Sequence, residues 1–330
     1  MNEFSQYVKI IGKGKRAGNY LSQAQAYSAY KLLLGGKAQP EQVGAFLMLL
    51  RVREESSEEL AGFVLACREH TLAGFSQLDV DLDIGCYAGK RRHLPWFILS
   101  IIALAQTGKR IFIHGSQEPD SQRLYVPQAF KELNIPIAHS LIDAKTHLAQ
   151  FGFAYTDLKN CNPKLDDLLQ MRALFALRSS ANTLARILNP SAAPHSFHGV
   201  FHREFDARHI EIAQLIGDKN VSCLRGEGGE VEINPERPVT QHLLKNGQAL
   251  RLDFPALLDK KQIKPRELNC AQLEQLWLGE LDFEYATQAV IGTIASILTL
   301  LEPITSEQAL SCATEIWHSR TSKPFAQLFA

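Results

Sequence analysis

Between residues 76 and 225, short apolar runs of strand length alternate with longer ones of helix length. That order narrows the possible folds more than any other feature of the chain. "LDVDLDIG" reads as a strand, "LPWFILSIIALAQTG" as a helix, and "RIFIHG" as a strand whose alternation is too weak for a solvated face. "PQAFKELNI" reads as a short helix, "GFAYTD" as a strand, and "LDDLLQMRALFALRSSANTLARIL" as a long helical stretch ending at Asn189-Pro190. "SFHGVFH", "ARHIEIAQLIG" and "VSCLRGEGGEVEI" then read as strand, helix and a strand entering a glycine loop. Strands separated by helices pair mostly in parallel, because each crossover helix carries the chain back to the same end of the sheet.

The chain before Phe75 has a different pattern. "QAQAYSAYKLLLGG" places alanine and leucine at helical spacing and stops at Gly35-Gly36, a C-terminal cap signal. "AQPEQVGAFLMLLRVR" opens with Pro40 and Glu41 in its first turn, and "SSEELAGFVLACREH" has Ser56 or Ser57 as its N-cap. The tail, "DFEYATQAVIGTIASILTLLE" and "SEQALSCATEIWHS", is helical again. The expected architecture is α/β: an all-helical domain over residues 1–75, joined by later helical segments, and a larger domain over 76–330. The larger domain is expected to hold a mostly parallel sheet flanked by helices.

Charge is more informative in its distribution than in its sum. The formal net charge is +0, so no global field marks a nucleic-acid binder. Residues 84 to 117, however, hold Lys90, Arg91, Arg92, Lys109 and Arg110 and no acid. From Arg266 onward there are eight acids against three bases. The six cysteines form no C-x-x-C pair, and no secretory segment is evident, so reduced thiols in a cytoplasmic protein are expected. "FILSIIALA" and "AVIGTIASILTLL" are shorter than a bilayer span and are expected to be buried helices, with no membrane partner.

The segment "DLDIGCYAGKRRHLPW" runs from a strand through a glycine-containing turn into a helix, an arrangement that offers backbone N–H groups to a phosphate. Lys90, Arg91, Arg92 and His93 crowd the helix start, where cations oppose the helix dipole unless an anion is bound. A second basic patch, Lys9, Lys13, Lys15 and Arg16, lies in the glycine-containing segment "KIIGKGKRAGNYL". A third comprises Arg172 and Arg178, the latter placed on one helix face with Asn182. His195, His198, His202 and His209 lack metal-site spacing and are expected to be surface or loop histidines. No nucleophile motif of the G-x-S-x-G kind occurs, and no catalytic residue is assigned.

"LLLGGKAQPEQVGAFLMLLRVREESSEELAGFVLACRE" and "RSSANTLARILNPSAAP" resemble segments of anthranilate phosphoribosyltransferase and its nucleoside-phosphorylase relatives, in the same order along most of the chain. The resemblance implies that two-domain fold, a homodimer through the helical domains, and phosphoribosyl pyrophosphate with magnesium in the cleft. The family's Gly-Thr-Gly-Gly-Asp loop is replaced here by Gly85-Cys86-Tyr87-Ala88-Gly89, and its Lys-His-Gly-Asn by Ile113-His114-Gly115-Ser116. Its Asp-Glu magnesium pair aligns with Val231 and Glu232, leaving Glu227, Glu230 and Glu232 as weak metal candidates.

A nearer resemblance, through "GKGKRAGNYL", "YAGKRRHLPW", "MRALFALRSSANTLARILNP" and "LRGEGGEVEINP", is to the YbiB-type branch, the second TrpD family. That branch implies a dimeric protein binding DNA or RNA, single- or double-stranded, with little sequence preference and without a cofactor. Lys13, Lys15, Arg16, Lys90, Arg91, Arg92 and Arg178 are then expected to meet phosphates, and Tyr87 and His93 to stack on bases. Arg172, also expected among the nucleic-acid contacts, matches an arginine that contacts the aromatic acceptor in the family. The alternatives are a phosphoribosyltransferase with an altered donor loop, which alone would need magnesium, and a small-molecule sensor.

Overall fold

A computed structural model describes residues 3–13, 19–119, 121–262 and 267–330 of the chain. Four helices, Ser5–Ile11, Gln23–Leu34, Pro40–Arg53 and Ser57–Glu69, open the fold. Ser22 with Gln25, and Ser56 with Glu59, close reciprocal caps that satisfy first-turn N–H groups. Glu59 does more than cap. Its buried carboxylate also accepts Leu21 N at 2.9 Å and the Arg53 guanidinium at 2.6 Å, fixing the loop that enters the second helix. Phe4, Tyr30, Phe46 and Phe63 pack as the aromatic centre of this unit, with Tyr30 stacked on Phe63 at 4.2 Å.

The larger unit is built on seven strands: β1 Leu82–Cys86, β2 Ile111–Gly115, β3 Phe153–Asp157, β4 His195–Val200, β5 Val221–Arg225, β6 Val239–Lys245 and β7 Gln248–Phe254. Their order is β3-β2-β1-β4-β5-β6-β7, with β1 to β5 parallel and the last two pairings antiparallel. The parallel part matches the expectation from sequence. The β6–β7 hairpin is an addition to it, although its turn is Asn246-Gly247, both with positive φ, as a tight hairpin demands.

Both faces of the sheet are covered, which explains the weak alternation along β2: Ile111 and Ile113 enter one core, and Phe112 the other. The first core lies beneath helices Phe97–Gln106, Glu284–Leu301 and Ser306–Ser319. Glu284–Leu301 has the length and apolarity of a membrane span, but 78% of it is buried inside the protein, as a core helix would be. In the second core, helices Leu141–Phe151, Pro163–Gln170 and Ala181–Ile187 pack with the N-terminal unit. Arg68 ties the units together by donating to both carboxylate oxygens of Asp218 at 2.8 Å and to the carbonyls of Leu188 and Ile187.

One predicted element is corrected. The long helix through residues 165–188 is three pieces, Pro163–Gln170, Arg172–Phe175 and Ala181–Ile187. Ala176 takes φ +53° between them, a conformation disfavoured for a residue with a Cβ. The break is held from the N-terminal unit: the Ser180 hydroxyl bonds Tyr30 Oη at 2.6 Å, and Phe175 lies over Gly44. Arg178 and Asn182 therefore share no helix face, and Asn182 instead accepts the Ser179 N–H.

Candidate functional site

The sheet order reverses at β1, which has β2 on one side and β4 on the other. Loops leaving the carboxyl ends of strands at such a point diverge and leave a crevice. Three loops meet there: 87–93 after β1, 201–204 after β4 and 226–230 after β5. Gly229 brings the last two together, since a Cβ on it would lie 3.1 Å from the Phe201 Cβ and 3.4 Å from the Ala88 Cβ.

The first loop presents backbone donors to an anion, and the anion is the protein's own. Ala88 N and Gly89 N donate to Glu230 Oε1 at 2.7 and 2.6 Å. Burial pushes the Glu230 carboxyl above the usual range, while Arg186, the two N–H groups and Lys90 pull it back. Two residues on, Glu232 accepts Phe97 N at 2.9 Å, at the start of the helix after the loop, and its other oxygen meets Lys90 Nζ at 2.5 Å. The N–H groups of Ala88, Gly89 and Phe97, which would suit a phosphate, are thus taken by glutamates of the "GEGGEVEI" loop.

Three predicted contacts are corrected by this arrangement. Lys90 is buried against Glu232 and the Glu227 carbonyl and presents no charge to a surface ligand. His93 is buried and stacks on Tyr285 at 4.1 Å. Tyr87 is buried too, its hydroxyl bonded to His114 Nδ1 at 2.5 Å; His114 Nε2 meets Asp83 at 3.0 Å, and Asp83 accepts the Ser191 hydroxyl at 2.5 Å. These two rings pack within the protein instead of offering a face to a base. Lys15 and Arg16 lie outside the described residues. Lys13, exposed after the first helix, lines none of the three cavities discussed below.

Of the five cations between residues 84 and 117, Lys90, Lys109 and Arg110 are paired with Glu232, Glu302 and Asp79. Arg91 and Arg92 are left exposed, and the fold gives them company that the sequence concealed. Arg123, Arg203, Arg225 and Arg237, with His202, line the same cleft of about 580 Å³. Arg123 donates to the carbonyls of Ala88 and Gly89, so the Glu230-bound loop also aims an arginine. Among the described residues, none of these six arginines pairs with a carboxylate. Glu227 is the acid in the lining, and it accepts from Asn234 Nδ2. Arg203, Arg225 and Arg237 continue into a smaller cavity of mixed charge, lined also by Glu204, Asp206, His242 and Arg251.

Across the first loop lies a polar pocket of about 360 Å³, lined by Tyr87, Ser116, Glu118, Gln170, Arg172 and Asn182 among others. Arg172 faces it and is paired with Glu118. Arg178 is half-buried; desolvation first, then Arg186, Arg172 and Arg123, press its guanidinium below the usual arginine range. The same crowding would favour an anion placed among those side chains.

Residues 9–71 match the model of the glycosyl transferase family, helical bundle domain. An uncharacterised protein of Aquifex aeolicus is 29% identical over 223 residues, 66% of each chain. The uncharacterised protein YbiB of Escherichia coli is 28% identical over 240 residues, 71% of this chain and 74% of that one. Anthranilate phosphoribosyltransferase of Methylocella silvestris is 26% identical over 300 residues, 88% and 84% of the two chains. The structure of that enzyme (TrpD) from Thermus thermophilus superposes with a TM-score of 0.77 at 20% identity, covering 99% of this chain and 97% of the other. The chain is a divergent TrpD-like relative.

A magnesium ion on this TrpD-like scaffold would need carboxylates that converge. Glu227, Glu230 and Glu232 do not: Glu227 accepts from Asn234, Glu230 from Ala88 and Gly89, and Glu232 from Lys90 and Phe97. No cluster of three metal-ligating side chains occurs among the described residues. Those three glutamates, named from sequence as weak metal candidates, bind their own chain instead. The histidines are corrected in part. His198 and His209 are buried with their Nδ1 atoms 3.3 Å apart, whereas His202 is exposed in the arginine cleft.

Proposed function

We propose that this TrpD-like protein binds nucleic acid through its phosphates, with little dependence on sequence, in the cleft lined by Arg91, Arg92, Arg123, Arg203, Arg225 and Arg237. The observation that carries the reading is that these six guanidinium groups share one cleft with no carboxylate partner among the described residues. Unpaired like charges repel, and a polyanion relieves that repulsion while releasing its condensed counterions. Arginine suits phosphate because its planar fork can donate two parallel bonds. No base-reading arrangement is needed for such binding, which fits a sequence-tolerant partner.

Anisotropy of a labelled, mixed-sequence oligonucleotide tests the proposal, comparing wild type with the Arg91→Ala/Arg92→Ala/Arg203→Ala variant across a salt series. The expected result is wild-type binding that weakens with salt, and a variant with lower affinity and a slope shallower by about 0.7–0.9 for each phosphate that the removed arginines neutralise. Binding unaffected by the triple substitution would overturn the cleft assignment. No wild-type binding at low salt would overturn the function.

A second reading is a phosphoribosyl or related glycosyl transferase with an altered donor loop. The names of the relatives favour it more directly than they favour nucleic acid, and the polar pocket with Arg172 supplies room for a small acceptor. Against it stand the internal occupation of the loop amides by Glu230 and the divergent partners of the three glutamates. Saturable, magnesium-dependent binding of phosphoribosyl pyrophosphate would decide for it. A homodimer through the helical unit, if present in sedimentation experiments, would set two clefts on one strand and raise avidity.

A further inference from the structure

Phe201 stands where a soluble protein has little reason to keep an apolar ring. It follows the last residue of β4, its side chain is 65% exposed, and it lines the arginine cleft. Its backbone is well held even so. The neighbouring Gly199 packs directly on the Glu230 carbonyl, and Gly229 lies against the Phe201 Cβ, so the loop is fixed while the ring projects. His202 packs on the ring at 5.2 Å and 90°, a T-shaped contact and not a parallel stack. Tyr87 and His93, the rings that sequence pointed to for stacking, are both enclosed. Among the described residues lining the cleft, Phe201 is therefore the exposed large aromatic side chain.

We propose that Phe201 is a base-stacking platform and that the cleft consequently prefers single-stranded to double-stranded nucleic acid. The proposal rests on the nucleic-acid reading above and deepens it. A duplex offers phosphates to arginine but keeps its base faces stacked on one another; a single strand offers both. An aromatic ring among cations is the combination that holds an unpaired strand, because every base has a π-face and every linkage a phosphate. Glu230 also makes the platform rigid before binding, because the amides of Ala88 and Gly89 are already satisfied and the loops around Phe201 need no ligand to set them.

The test compares three labelled probes of equal length: a mixed-sequence single strand, its duplex, and a single strand of abasic sites with the same phosphates. Wild type, Phe201→Ala and Phe201→Trp are titrated with each, with the arginine triple variant as a control for phosphate binding. For Phe201→Ala the expected loss on the single strand is about 5- to 150-fold, the range for removal of one stacked base. The duplex and the abasic strand should change by less than twofold, and Phe201→Trp should keep wild-type affinity. Since Phe201 is exposed, neither substitution threatens the fold, and thermal unfolding confirms that directly. Arginine-dependent binding by wild type with no effect of Phe201→Ala would overturn this inference alone and make the ring a candidate docking point for another protein. An equal loss on all three probes would likewise overturn it. Absence of all binding by wild type would overturn both the inference and the reading beneath it.

Discussion

Lys90 and Glu232 meet at 2.5 Å with their side chains 1% and 0% exposed, 142 positions apart in the chain. A buried pair of this kind adds little compared with apolar residues of the same shape, yet removing one member strands the other charge. Lys90→Met is expected to cost about 3–5 kcal/mol in urea unfolding. Lys90→Met/Glu232→Gln, which keeps an acceptor for Phe97 N and removes the stranded charge, should recover more than half of that loss. If the double variant is no better than the single one, the pair is not what Lys90 contributes.

Glu230→Ala should leave Ala88 N and Gly89 N buried without an acceptor, at about 1–3 kcal/mol for each N–H. Inorganic pyrophosphate at millimolar concentration is expected to raise the melting temperature of the variant more than that of wild type, in which the arginine cleft alone can take the anion. An equal rise in both proteins would place the anion somewhere other than these amides.

The His198–His209 pair makes stability depend on pH. Burial lowers His198 from 6.5 to about 4 and holds His209 well below its usual value, and two facing Nδ1–H groups at 3.3 Å would repel. A histidine with a depressed folded pKa contributes its full stability above the unfolded value. That contribution is lost as pH falls from about 6.5 toward 4, by about 3 kcal/mol for His198. Glu232, raised by burial to about 7, acts in the opposite direction over much of the same window. The informative quantity is therefore the difference between wild type and His209→Asn, in which the histidine contribution to the slope should be roughly halved. Parallel pH profiles for the two proteins would refute the assignment.

Arg68 should be intolerant of lysine. Its guanidinium reaches Asp218 with two nitrogens and two carbonyls besides, a fork that an ammonium cannot reproduce. Arg68→Lys is expected to lose about 1–3 kcal/mol in urea unfolding. A stability within error of wild type would mean that the junction does not depend on the fork.

The fold was legible in the sequence wherever its evidence was local. Strand length and helix length alternate visibly, Ser22 and Ser56 sit beside the residues they cap, and Gly35 ends its helix. The β6–β7 hairpin was also within reach, since Asn246-Gly247 lies between "HLLK" and "QALRL". The broken helix was not, because what breaks it is Tyr30, 150 positions before Ser180. The candidate site was half legible for the same reason. Arg91 and Arg92 stand out as neighbours in sequence, whereas Arg123 follows β2, Arg203 follows β4, Arg225 ends β5 and Arg237 precedes β6, and they become a cluster only when the sheet is assembled. Lys90 looks like Arg91 from its neighbours; a carboxylate 142 positions away separates their fates.

A loop that supplies its own counterion no longer waits for a visitor to take shape. Where a glycine-rich loop orders on a bound phosphate, ligand chemistry and loop closure are one event, and the ligand must match in order to close it. With Glu230 seated on Ala88 and Gly89, closure is built in at folding, so ligands meet a finished surface, pay no loop-ordering entropy, and arrive and leave without a closure step between. Such a surface loses a means of discriminating among small phosphates and gains tolerance for long ligands that dock in many registers.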